Sequence, residues 1–226
     1  MKPQPRYRIY LVDDHPVTVA GVSSILSLEP SLEICGQSSR SHEALARLNS
    51  LPVDLVVLEI GIGGLGGLDL IQDLRIRFPR VRVLCFTVHE EIFHAERALR
   101  AGAVGYVMKT SDGSILLRAI QTVLQGQVFL SETMGRRILN RIAGNAGASA
   151  TSPINLLSNR ELQVIHHIGE SRDNRGIARL MSVSIKTVEA HRSKIKDKLQ
   201  LRTTSDLIRF ATHWVERESS FVDQRS

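Results

Sequence analysis

Cysteine and aromatic side chains are scarce in this chain: it has two cysteines, one tryptophan and an aromatic fraction of 4% in 226 residues. Two cysteines cannot build a disulfide framework. Cys35 and Cys85 lie in separate apolar runs without metal-ligand spacing, so both are expected to be reduced core residues of a cytoplasmic protein. No apolar run approaches the roughly 18 residues of a membrane span. The opening "MKPQPRYRIYLVDD" carries no signal-peptide core, which argues against export. No internal repeat is present. What remains is ordinary globular material, 42% hydrophobic and 23% charged, long enough for one large domain or two small ones.

Negative charge is in short supply only toward the C-terminus. Residues 1–125 hold 13 Lys+Arg and 13 Asp+Glu, residues 126–150 hold 3 and 1, and residues 151–226 hold 13 and 9. The net charge of +6 therefore belongs wholly to the C-terminal half. A neutral first part and a basic second part point to a polyanionic partner for the second, although a solvated basic surface would look the same by charge alone.

The first 125 residues alternate short apolar runs with helical patterns. Strands are expected at 8–12, 32–37, 54–60, 81–86 and 103–108, and helices at about 16–28, 41–50, 67–78, 90–101 and 112–124. Nearly uniform apolar strands joined by helices predict a parallel sheet covered on both faces, an α/β domain of flavodoxin-like type with five strands. "FLSETMGRRILNRIAG" predicts an amphipathic helix with Met134, Ile138, Leu139 and Ile142 near one face. "GNAGASATSP" (144–153) has the composition of a flexible linker. Beyond it the pattern is all helical. Ser158 and Glu161 have capping-box spacing and open a helix to about 168, and further helices are expected at 174–181, 184–199 and 204–217. The domains are thus expected at 1–125, with a helical and flexible linker at 126–153 and an all-α domain at 154–226.

"GIGGLG" (61–66) matches a dinucleotide-binding pattern, but it follows the third expected strand rather than the first. No acid lies about 20 residues on, where Phe86 and Thr87 stand, so no nucleotide cofactor is expected. The strand ends carry a different chemistry. In sheet order 2-1-3-4-5 the ends of strands 1 and 3 flank the ligand crevice. Strand 1 ends in Asp13-Asp14, strand 3 in Glu59, strand 4 in Thr87 and strand 5 in Lys109. Carboxylates converging on one crevice call for a cation, and Mg²⁺ with its preference for oxygen ligands is the natural choice. A lysine and a hydroxyl aimed at the same point suit phosphoryl oxygens.

The runs "YLVDDHP", "DLVVLEI", "GLDLIQDLR", "VLCFTVH" and "AGAVGYVMKT" resemble the receiver domain of bacterial two-component response regulators. That resemblance implies Mg²⁺ near Asp13, Asp14 and the strand-3 acid, a histidine kinase as phosphodonor, Thr87 and Lys109 holding the phosphoryl oxygens, and Tyr106 as a mobile switch aromatic. It departs from the family at its centre: the phosphoacceptor aspartate is Glu59. The loop also differs, with Ile62-Gly63 in place of the usual Met-Pro. One added methylene misplaces the carboxylate for attack and puts a fixed negative charge near the phosphoryl position, where errors of about 1 Å severely impair positioned chemistry. A receiver that is phosphorylation-independent or locked as a phosphomimic is expected.

In the C-terminal part, helices at 174–181 and 184–199 have helix-turn-helix spacing. At 100° per residue, Ile185, Val188, Ile195 and Leu199 fall on one face, expected to be core. Lys186, Ala190, Ser193 and Lys194 lie opposite, with Thr187 and Glu189 at the margins, a cationic and small-polar face suited to a major groove. Residues 172–202 hold 9 Lys+Arg against 3 Asp+Glu. The segment "LLSNRELQVI…IARLMSVSIKTVEAHRSKIKDKLQL" resembles the LuxR-type DNA-binding domain, which makes the whole chain similar to NarL/FixJ-type regulators. The resemblance implies double-stranded DNA as partner, base reading at Glu189, Ala190 and Ser193, and dimer contacts on the last helix, hence a homodimer. Phosphate contacts are expected from Lys186, Thr187, Arg192 and Lys194. Two other readings stand beside this transcription factor. One is a conventional phospho-switch in which Glu59 still serves or stands in for a replaced aspartate. The other is an Mg²⁺-dependent phosphoryl-transfer enzyme, disfavoured because no insertion could cap a substrate.

Overall fold

Strand β1 (Tyr7–Val12) runs between β2 (Leu32–Ser38) and β3 (Leu55–Leu58), and the sheet continues through β4 (Arg82–Thr87) to β5 (Gly105–Met108). All four pairings are parallel, giving the order 2-1-3-4-5. These relations are drawn from a computed structural model that describes residues 6–63, 66–143 and 153–223. The chain divides into two compact units, with the boundary at residues 144–145.

Parallel pairing forces each strand return over a face of the sheet, so both faces are covered; β3 and β5 are buried at every position, while the edge strand β2 carries Glu33, Gln37 and Ser38 and is only partly buried. Ile9, Leu11, Leu55, Val57, Leu84 and Phe86 pack with Val22 and Leu26 of α1 (Pro16–Ser27) and with Leu116, Ile120 and Val123 of α5 (Gly113–Leu124). Helices α2 (Ser41–Leu48), α3 (Gly67–Arg77) and α4 (Glu91–Ala101) pack in series. Cys85 is fully buried in β4, whereas Cys35 is only half-buried, its thiol against the Ile9 carbonyl; both are free thiols.

β3 stops at Leu58, two residues short of the expected end, because the Glu59 side chain turns back to accept the Gly61 N–H at 2.7 Å. Helix α6 (Glu132–Ile142) belongs to the first unit and packs on α4. Its expected apolar face is only partly used: Met134 is buried but Leu139 is 66% exposed. The helix is tied down at its start, where the Ser131 N–H donates to Glu91 at 3.0 Å; Met134 is buried and Ile138 half-buried. The linker expected over 144–153 lies outside the described residues except for Pro153.

The second unit opens with a 3-10 turn (Pro153–Leu156), followed by α7 (Asn159–Gly169), α8 (Asn174–Leu180), α9 (Ile185–Leu199) and α10 (Thr204–Asp223). Each of the first three helices begins with a side-chain cap from Ser158, Asp173 or Ser184, which satisfies orphan N–H groups. The capping box at Ser158 is complete, with Glu161 returning a bond to the Ser158 N–H at 2.7 Å. Val188 and Ile195 are buried as expected, but Ile185 is 42% exposed and Leu199 only half-buried. Both stand at the ends of α9, where fewer neighbours reach than at its middle. Gly169 lets α10 approach closely, since a Cβ there would meet the Ala211 carbonyl at 2.6 Å. No described helix is long and apolar enough to cross a membrane.

Candidate functional site

The strand-end groups are brought to one point by the ladder itself. Glu59 N–H donates to Val12 at 2.9 Å, Asp13 N–H to Ser38 at 3.1 Å and Lys109 N–H to Thr87 at 2.8 Å. These bonds carry the sheet register one residue past each strand, so the side chains converge at its C-terminal edge.

Glu59 is 2% exposed, and protein donors meet both of its carboxylate oxygens. Oε1 accepts the Thr87 hydroxyl and the Gly61 N–H; Oε2 faces Lys109 Nζ at 2.8 Å and the Val88 N–H at 3.3 Å. Lys109 Nζ also reaches Asp13 Oδ2 at 2.6 Å. Burial pushes the Glu59 carboxyl up, but the Lys109 charge and the donors from Lys109, Thr87 and Gly61 outweigh it, and the group titrates below the usual carboxylate range. Burial likewise pulls the Lys109 ammonium down, while Glu59 and Asp13 raise it further, so its net shift is upward. The arrangement is a desolvated ion triad whose charges depend on one another.

A hydrogen-bonded path leaves this triad. The Thr87 hydroxyl, fully buried, donates to Glu59 and accepts the His89 N–H at 3.2 Å; the His89 carbonyl accepts the buried Tyr106 hydroxyl at 2.9 Å. The path runs through backbone groups of residue 89 and left no mark in the sequence. Gly61 leaves room for the His89 ring beside it, since a Cβ there would meet His89 Nε2 at 2.7 Å and the ring would have to shift.

The acids do not all meet. Asp13, Asp14 and His15 have ligand atoms within 4.8 Å of one another, and Glu59 is outside that group. His15 Nδ1 stands 3.0 Å from Asp14 and 3.3 Å from Asp13. His15 stands in "VDDHP" directly after the acid pair, and that adjacency is its signal as a third donor. Both oxygens of Asp13 are met by protein donors, the His15 N–H at 2.8 Å and Lys109, as are both oxygens of Glu59, so the exposed Asp14 carboxylate is the more available oxygen donor for a hard cation.

In the second unit, α8 and α9 form the two-helix pattern. Lys186, Glu189, Ala190, Ser193 and Lys194 are exposed, as a groove-facing surface requires. Thr187 is half-buried and serves the cap, with its N–H 3.0 Å and its hydroxyl 2.8 Å from Ser184 Oγ. Arg192 is half-buried and donates to Asn174 Oδ1 at 2.9 Å, which ties α9 to the start of α8. Asn174 carried no sequence signal for that role. Lys198 fixes the other end, 2.7 Å from the buried Glu161 of α7.

Residues 9–121 match the response regulator receiver domain, and residues 155–211 match the bacterial regulatory proteins of the luxR family. The oxygen regulatory protein NreC of Staphylococcus carnosus (strain TM300) is 30% identical over 208 residues, covering 90% of this chain and 96% of its own. The chain belongs to the NarL/FixJ-type response regulators. The solved structures agree with this regulator's architecture. RcsB from Salmonella enterica serovar Typhimurium, bound to promoter rprA in the presence of phosphomimetic BeF3-, superposes with a TM-score of 0.66 at 21% identity, over 92% of this chain and 98% of that one. A LuxR-family two-component response regulator from Aurantimonas sp. SI85-9A1 is 30% identical with a TM-score of 0.57, over 61% of this chain and 99% of its own. The regulator is a DNA-binding transcription factor rather than an enzyme, and its receiver domain is of a kind that generally uses Mg²⁺ in phosphorylation.

Proposed function

We propose that this regulator acts in the cytoplasm as a homodimeric, promoter-binding transcription factor whose receiver is held in its switched arrangement by Glu59 instead of by a phosphoryl group. One observation carries the reading: the Glu59 carboxylate occupies both Thr87 and Lys109, the two groups that the family resemblance assigns to phosphoryl oxygens. With the Thr87 hydroxyl drawn to Glu59, the His89 backbone follows it and its carbonyl holds Tyr106 inward. A carboxylate has less charge and fewer oxygens than a phosphoryl group, so the bias it supplies is smaller. Burial beside Lys109 makes that smaller charge count for more than it would in water.

Phosphorylation by a histidine kinase is not required in this reading. Asp13 and Asp14 would hold Mg²⁺, whose positive charge would offset their own carboxylates. The second unit supplies the output: Glu189, Ala190 and Ser193 face bases, and Lys186 and Lys194 face phosphates. Thr187 and Arg192, engaged with Ser184 and Asn174, set the pose of α9, and α10 carries the dimer contact.

The test compares the parent with Glu59→Asp and Glu59→Gln for dimerisation by sedimentation. DNA affinity is measured on sites selected from a randomised pool, with and without acetyl phosphate. The parent should dimerise and bind without phosphodonor, Glu59→Gln should bind weakly under both conditions, and Glu59→Asp should need the phosphodonor. Equal affinity for parent and Glu59→Asp in both conditions overturns the reading.

A further inference from the structure

At the C-terminal end of α7, within the second unit, two imidazoles and a carboxylate converge. Glu170 Oε2 stands 3.0 Å from His167 Nδ1 and 3.8 Å from His166 Nδ1, and the ligand atoms of all three residues lie within 4.8 Å of one another. Both histidines present the same ring nitrogen to the same oxygen. A neutral carboxylate–imidazole pair needs only one of them.

The local fold explains the convergence. His166 and Glu170 are one turn apart, and Glu170 is the C-cap residue, followed by Ser171 in the left-handed region at φ 61°. The chain turns there, and the Arg172 N–H returns to the His167 carbonyl at 3.0 Å. His167 is 3% exposed and locked by packing, while Glu170 is 37% exposed and keeps one side of the cluster open to solvent. The negative end of the helix dipole lies at this terminus and favours a cation.

We propose that His166, His167 and Glu170 form a binding site for a divalent transition-metal ion of the Zn²⁺ class. Two imidazole nitrogens and one carboxylate oxygen are a borderline-soft donor set that suits Zn²⁺ and Co²⁺ and not Mg²⁺. Bonds of about 2.0–2.1 Å at a tetrahedral angle put ligand atoms about 3.3 Å apart, between the two separations observed here to Glu170. Water completes the shell on the solvent side. Arg172, 3.8 Å from the same oxygen and 54% exposed, swings out as the ion enters. The ring of Trp214 on α10 lies edge-on to His166 at 6.4 Å, so the one tryptophan of the chain reports on the site. An ion there would stiffen the end of α7 where α10 crosses it at Gly169. The inference does not depend on the reading of Glu59.

The experiment uses the full chain carrying Asp14→Asn, which removes a ligand from the Asp13, Asp14 and His15 cluster as a competing site. Co²⁺ is titrated with Trp214 fluorescence and visible absorption as readouts. One ion per chain is expected, with quenching, d–d bands of low-symmetry coordination, and displacement by Zn²⁺ and by EDTA. Because His167 is buried and its replacement risks the fold, Glu170→Gln and His166→Gln are the diagnostic variants, with folding checked by circular dichroism. Each should weaken Co²⁺ binding at least about tenfold. Unchanged affinity in Glu170→Gln, or no saturable quenching in the parent, overturns the proposal.

Discussion

Lys109 Nζ stands 2.8 Å from Glu59 Oε2, a pairing in which both side chains are largely withdrawn from water. Because Asp13 shares the same ammonium, removing it would leave two carboxylates facing each other without a counter-charge. Lys109→Met should therefore destabilise the receiver by about 3–5 kcal/mol, the usual scale for breaking a buried pair on one side. Urea denaturation of the full chain measures this, and a loss below about 1 kcal/mol would show that the triad is more solvated than its geometry implies.

Phosphorylation chemistry should fail at residue 59. Both Glu59 oxygens are occupied by protein donors, and the extra methylene displaces them from the in-line position. Incubation with acetyl phosphate and Mg²⁺ should leave intact mass unchanged. A phosphoryl adduct that disappears in Glu59→Gln would contradict this.

Thr87→Ala removes the donor to Glu59 and the acceptor of the His89 N–H together. Leaving those buried partners unsatisfied should cost about 1–3 kcal/mol. It should also release Tyr106, read as increased exposure of its ring to solvent-borne fluorescence quenchers or as a changed ring resonance in NMR. Thr87→Ser, which keeps the hydroxyl, should restore the Tyr106 signature. Failure of Ser to rescue would mean that the hydroxyl path does not hold Tyr106.

Acid should destabilise both units. In Glu161, burial pushes the carboxyl up, but Lys198 and both Ser158 donors outweigh it, so it titrates lower folded than unfolded, as Glu59 does. The folded state then binds fewer protons, so the stability these groups contribute is present above the ordinary glutamate pKa of about 4.3 and is lost as pH falls through the lowered values. Glu161→Gln should flatten the pH dependence of the second unit's unfolding between about pH 5 and 3, followed by Trp214 fluorescence.

On DNA, Lys194 and Glu189 should behave differently. Lys194 is an exposed, flexible point charge, and Lys194→Ala should weaken binding to all sequences alike and lower the salt slope by about one. Glu189 is tolerable in a groove only where it meets a donor such as a cytosine amino group. Glu189→Ala should relax preference at one position by about 1–3 kcal/mol while raising non-specific affinity. Binding to randomised half-sites at two salt concentrations separates the two; exchanged phenotypes would mean exchanged roles.

The sequence by itself determined which elements form, because strand and helix are written in local periodicity and caps: the apolar runs ending in Asp13, Thr87 and Lys109, and the Ser158–Glu161 pair. It also determined that an acid, a hydroxyl and a lysine share one edge, since parallel order 2-1-3-4-5 places those strand ends together. Only the tertiary structure decided what Glu59 does. A carboxylate on a longer arm can turn several ways; in the fold it lies on Thr87 and Lys109 and outside the group formed by Asp13, Asp14 and His15. The same holds where a face depends on neighbours. Ile185 and Leu139 keep helical phase with buried residues yet lie exposed, because among the described residues no partner element covers them on α9 and α6. Helical phase names a side, and contact with a second element decides whether that side is buried.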